Sequence, residues 1–166
     1  MIQWLPYLDA TLGLAIKSPA TGQIKSVTTH SDLLYNANVL PQALCIDLQH
    51  GTLVSPFSGH FTNSLHGGRR LTFKHKSGLT LQIDLMVSQN ISPGMAIKQL
   101  VGSGQAVQQG QTVLRLDLQL LQNSDECKAV LSILPHPAIA AVYSSEYFVE
   151  ASNDNAFVIQ LKNTKI

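Results

Sequence analysis

The sequence predicts an all-β fold, an antiparallel barrel-sandwich with one or two short helices. Three observations carry this expectation. Turn-forming Gly, Pro, Asn and Ser recur every ten or so residues, with short apolar runs between them. A corner motif of the form Ser-Pro-x-x-Gly occurs twice. One stretch, from Leu79 to Asp84, alternates strictly between apolar and polar residues.

The corner motif comes first along the chain. Ser18-Pro19-Ala20-Thr21-Gly22-Gln23-Ile24 is echoed by Ser55-Pro56-Phe57-Ser58-Gly59-His60-Phe61. Proline fixes φ and withdraws from ladder pairing, and glycine is free to take φ > 0. Each copy is therefore expected to be a tight corner between strands, and two copies imply an internally repeated sandwich. Strands are expected at Leu53-Val54, Phe61, Leu71-Thr72-Phe73, Leu79–Ile83 and Val113–Leu116. In the fourth, Leu79, Leu81 and Ile83 should face a core, with Thr80, Gln82 and Asp84 on the other side. Lys76-Ser77-Gly78 supplies a hairpin turn before it.

Further on, Gly104, Val107, Gly110 and Val113 follow a G-x-x-V-x-x-G-x-x-V spacing, with valines turned inward from two glycine-set turns. This resembles the hammerhead corner of lipoyl and biotinyl domains. Pro93–Val101, with Ser92 as N-cap, and Leu118–Glu126 are the two helix candidates. No linker or low-complexity tract interrupts the chain. Residues 1–166 are expected to form one domain, with 1–13 as an N-terminal extension.

Composition excludes several classes. Charged residues make up 13% of the chain and the net charge is +1, too little for a nucleic-acid footprint. The densest basic feature, Arg69-Arg70 with Lys74, His75 and Lys76, suits a solvated hairpin. No apolar run reaches the ~18 residues of a membrane span. The N-terminus lacks a basic signal-peptide region and carries Asp9. Cys45 and Cys127 lie far apart without metal spacing, and Cys45 sits in an apolar run. A free buried thiol fits a reducing compartment, so a cytoplasmic protein is expected.

No catalytic motif stands out. No serine occupies a G-x-S-x-G elbow, and no Gly-rich phosphate loop is present. The six histidines are His30, His50, His60, His66, His75 and His136, and none is paired at zinc-binding spacing. The absent His-x-His argues against a sandwich-fold metal hydrolase, and no metal or cofactor is expected. Lys76 lies near a hairpin tip without the flanking sequence of a lipoyl carrier. His75 at that tip is expected to be solvated, and His136, between Pro135 and Pro137, to be a rigid loop residue.

From about Leu14 to Lys162 the order of corners, turns and apolar runs resembles the glucose-type IIA component of the bacterial sugar phosphotransferase system. The family's "APxxGxI" matches Ser18–Ile24, its "VxAPxxGxI" matches Val54–Phe61, and its "GxxVxxGxxLxxxDL" matches Gly104–Leu118. The resemblance implies the duplicated hybrid motif fold and a shallow apolar face that docks partner proteins of that system. It also implies two histidines with fourteen residues between them, the second carrying the phosphoryl group. Counted without a gap from Gly59, these positions fall on Arg69 and Asp84. "HxGxDT" becomes Asp84-Leu85-Met86-Val87-Ser88-Gln89, and the "GDG" turn becomes Pro41-Gln42-Ala43.

The scaffold motifs survive and the carrier histidines do not. A neutral imidazole is nucleophilic near neutral pH, which suits phosphoryl transfer. Asp84 leaves three readings: an acyl-phosphate carrier, which would need Mg²⁺ that no acidic cluster here supplies; a fixed mimic of the phosphorylated state; or a bidentate ion pair with Arg69. Alternation puts Arg69 with Leu71 and Phe73, so meeting Asp84 requires a bulge, and the two are expected to meet. A gap would instead bring His66, beside Gly67-Gly68, towards the first histidine position. The rim of the family's docking face falls on Tyr35, Val39, Leu40, Leu65, Thr72 and Gln82, four apolar and two polar.

Overall fold

The computed structural model describes residues 1–27, 42–64, 69–86, 96–121 and 127–163. In chain order the strands are β1 (Gln3–Trp4), β2 (Leu14–Lys17), β3 (Gly22–Ser26), β4 (Ala43–Leu48), β5 (Thr52–Val54), β6 (Gly59–Ser64), β7 (Arg70–His75) and β8 (Thr80–Met86). They continue as β9 (Ile97–Gln99), β10 (Ala106–Val107), β11 (Thr112–Leu116), β12 (Lys128–Ile133), β13 (Ile139–Ser144), β14 (Phe148–Val149) and β15 (Asn155–Leu161). A 3-10 turn at Ala10–Leu12 precedes β2, and a short helix, α1 (Leu118–Leu121), follows β11.

These strands form three sheets, ordered β10-β6-β7-β8-β12-β4-β3-β14, β1-β13-β15-β2 and β5-β11-β9. Their inner faces enclose one large core in which Phe61, Phe73 and Phe157 are fully buried. Phe61 and Phe73 face each other across β6 and β7 with ring centroids 5.3 Å apart, a cross-strand aromatic pair. The expected strands all appear, and Leu79, Leu81 and Ile83 enter the core as their alternation requires. Every pair is antiparallel except β1 with β13. That pair seats the N-terminal segment: Ile2 is buried, and Leu5 N–H donates to the Ser144 carbonyl at 2.9 Å. Asp9 caps the 3-10 turn, and its hydrogen bonds from Thr11 hold its carboxyl below the usual range.

The two Ser-Pro-x-x-Gly corners are structural copies. Ser18 Oγ donates to the Ala20 carbonyl at 2.6 Å, and Ser55 Oγ to the Phe57 carbonyl at 2.7 Å. Gly22 and Gln23 pair with Val149 and Phe148, as Gly59 and His60 pair with Val107 and Ala106. Ser18 exchanges backbone hydrogen bonds with Asp154 and Ser152, as Ser55 does with Gln111 and Gly110.

The expected role of the corner glycines needs correcting. Neither Gly22 nor Gly59 has positive φ. Glycine is required by close approach instead: a Cβ at Gly22 would lie 1.9 Å from the Asp47 carbonyl oxygen, and one at Gly59 would lie 2.1 Å from that of Lys74. Positive φ occurs at Gly78, Gly104 and Gly110, the hairpin and hammerhead turns. It also occurs at Ser152 (φ 65°), the internal-repeat counterpart of Gly110 (φ 82°). A side chain in that region is strained, so Ser152→Gly should raise stability by about 0.5–1 kcal/mol, after glycine's entropic cost. Urea denaturation of the full chain checks this, and a loss of stability would contradict it.

Two further expectations change. Ile97–Gln99 is strand β9, paired with β11, and not part of a helix through Val101; residues 92–95 lie outside the described set. Cross-strand pairing with Leu114–Leu116 overrode the helical pattern there. The second helix candidate is helical at Leu118–Leu121, and residues 122–126 lie outside the described set. His75 is half-buried, not solvated: its ring meets Phe57 edge-on at 5.2 Å, and its Nδ1 lies 2.8 Å from Ser77 Oγ. Among the described residues, no helix is long and apolar enough to cross a membrane.

Candidate functional site on the outer face of the large sheet

Alternation along β8 sends Leu81, Ile83 and Leu85 inward and Gln82, Asp84 and Met86 to the outer face. The register then sets a row across five strands: Arg70 opposite Asp84, Asp84 opposite Val130, Val130 opposite Cys45, and Cys45 opposite Lys25. Val27, Ala43, Cys45 and Val130 form a second, smaller apolar cluster here, with Met86 packed against it. Asp84 therefore borders an apolar patch and is only 7% exposed.

A carboxylate buried to that extent requires partners. Arg70 Nε lies 2.7 Å from Asp84 Oδ1 in a charge-assisted hydrogen bond, and Gln82 Nε2 donates to Oδ2 at 3.2 Å. Both carboxylate oxygens are engaged. Thr72 stands opposite Gln82, and Ser132 flanks Gln82 on the other side. Ser132 is buried, and among the described residues its Oγ has no hydrogen-bond partner. One row further, Asp47 joins Lys25 (2.6 Å) and, more loosely, Lys128 (3.9 Å). The hydrogen bond to Asp47 raises the Lys25 ammonium above its usual range.

The expected ion pair forms with a different arginine. The β7–β8 register runs from Arg70–Asp84 to Lys74–Thr80 without a shift, so no bulge turns Arg69 across the strand. Strict alternation instead sets Arg70 opposite the carboxylate, while the Arg69 carbonyl accepts from Leu85 N–H at 2.8 Å. The alternation that argued against Arg69 was the signal for Arg70. Thr72 and Gln82 take their places on this face; Tyr35, Val39, Leu40, Leu65 and His66 lie outside the described residues. His60 is on β6, four positions along from Ser64, the residue opposite Arg70. At strand rise that is roughly 13 Å from the Asp84 row. Among the described residues, no group of three His, Cys, Asp or Glu side chains gathers as a metal site. Neither Cys45 nor Cys127 is in a disulfide, and burial pushes the Cys127 thiol up.

The family model for the phosphoenolpyruvate-dependent sugar phosphotransferase system, EIIA 1, matches residues 14–136. The chain belongs to this family. Among similar EIIA relatives, the glucose-specific EIIA component of Bacillus cereus is 27% identical over 120 residues, covering 72% of this chain and 70% of the relative. The glucose-specific EIIA component of Staphylococcus aureus is 25% identical over 119 residues, with the same coverage. The EIIA fold is matched by the glucose permease IIA of Mycoplasma capricolum, with a TM-score of 0.72 over 87% of this chain and 94% of that one, at 16% identity. The solved structure shares the sandwich fold, and among the described strands no sheet closes into a barrel.

Proposed function

We propose that this EIIA-family chain is a cytoplasmic, protein-binding or regulatory member of the phosphotransferase system that no longer carries phosphate on histidine. The observation that carries the reading is Asp84. The ungapped count from Gly59 puts it where the family's carrier histidine stands, and both its oxygens are engaged, by Arg70 and Gln82. A carboxylate so held is oriented and charge-paired in the plane of the sheet face, and no described histidine stands on its row. The pair sits beside the apolar cluster of Val130, Cys45 and Ala43, which favours a remodelled docking face over one that has been lost. Thr72 and Gln82 contribute to that face, and its partners are proteins of the phosphotransferase type.

The test is transfer of ³²P from the family's phosphocarrier donor. No histidine-linked label is expected. Label that is acid-labile and alkali-stable, and lost in His66→Ala or another histidine variant, would make the chain an active carrier. Label cleaved by hydroxylamine and lost in Asp84→Ala would make it an aspartyl carrier.

A further inference from the structure

Away from the outer face that carries Asp84, a cleft of about 660 Å³ opens beside the three-stranded sheet. Its size is that of a small-molecule site. Leu116 and Ala96 are buried apolar residues in its lining, and His50, Lys98, Arg115 and Asp117 supply its charged and titratable groups. Lys98 and Arg115 stand directly opposite each other on β9 and β11. Like charges facing across a ladder destabilise the pair. Among the described residues, no acidic side chain pairs with either of them. Asp117, the acid in the lining, has Oδ1 3.3 Å from the Leu120 backbone N–H, which donates to it. His50 Nδ1 accepts from Thr52 N–H at 3.2 Å, which leaves the ring proton on Nε2 as a donor.

We propose that this cleft binds a small phosphate ester. A guanidinium and an ammonium with no acidic partner among the described residues share one lining with an imidazole N–H, and binding an anion offsets the Lys98–Arg115 repulsion. A terminal phosphate has three oxygens for the three donors, whereas a carboxylate has two. The apolar residues accommodate the remainder of the molecule. The site uses none of the residues on the Asp84 face.

Calorimetric titration of the full chain at low ionic strength tests this, with pyrophosphate as the probe and citrate in parallel. Saturable one-site binding of pyrophosphate is expected, weakened at least ~10-fold in both Arg115→Gln and Lys98→Gln and unchanged in Lys76→Gln, an exposed cation outside the cleft. Both substitutions remove a like-charge contact, and thermal unfolding of each variant verifies that the fold is retained. No saturable binding, binding by either variant equal to that of the unaltered chain, loss in Lys76→Gln, or citrate binding tighter than pyrophosphate would each overturn the proposal.

Discussion

Gly22→Ala and Gly59→Ala should each destabilise the fold by about 3 kcal/mol or more, the upper end of overpacking costs. The added methyl carbon would sit 1.9 Å and 2.1 Å, respectively, from a backbone carbonyl oxygen on the neighbouring strand. A carbonyl in a sheet ladder cannot rotate aside as a side-chain tip can, so two strands must separate. At Gly22 the displaced strand is β4, whose Cys45 lines the Asp84 row. For a chain of this size the loss corresponds to a fall in melting temperature of about 6–12 °C. Gly104→Ala is the control: its φ is +88°, but nothing lies within 4 Å of the added Cβ, so only the backbone penalty of about 1 kcal/mol applies. Similar melting temperatures for Gly104→Ala and the two corner variants would contradict the close-approach account.

Arg70→Ala should cost about 1–3 kcal/mol, because it leaves Asp84 buried with Gln82 as its remaining named partner. The estimate is below the ~3–5 kcal/mol of a fully buried pair because the Arg70 side chain is 40% exposed and solvent screens part of the attraction. The double replacement Arg70→Met with Asp84→Leu should lie within about 1 kcal/mol of the unaltered chain, since it removes both charges and extends the apolar patch of Val130, Cys45 and Met86. Urea denaturation of Arg70→Met, Asp84→Leu and the double variant gives the coupling directly. A double variant as unstable as the sum of its singles would mean that the two side chains act independently.

Much of the fold was legible because its signals are local. Strict alternation from Leu79 to Ile83 set the inward face of β8, and the turns expected at Gly78, Gly104 and Gly110 are there, each with its glycine at positive φ. The duplicated corners were visible as sequence, but the reason for their glycines was not. A carbonyl on another strand excludes the Cβ, and nothing local reports that strand. The same limit explains β9: Ile97–Gln99 is strand because Leu114–Leu116 pairs with it, and sequence near Pro93 holds no trace of that partner. At the candidate site, the row position of Asp84 could be read and its partner was misread by one residue. The expected bulge was borrowed from a family resemblance, whereas the unshifted register obeys the chain's own alternation. The apolar cluster beside Asp84 arises from Ala43 and Cys45 on β4, Val130 on β12 and Val27 just past the end of β3, and only pairing brings them together.

The proposed loss of histidine phosphorylation rests on a guanidinium–carboxylate pair at the outer face, and intact-mass spectrometry addresses it most directly. The unaltered chain would be incubated with phosphoenolpyruvate and the family's phosphocarrier enzymes, then weighed without acid treatment. The account predicts an unmodified mass. A stoichiometric phosphoryl adduct that survives alkali, disappears in acid and maps to a histidine would contradict it.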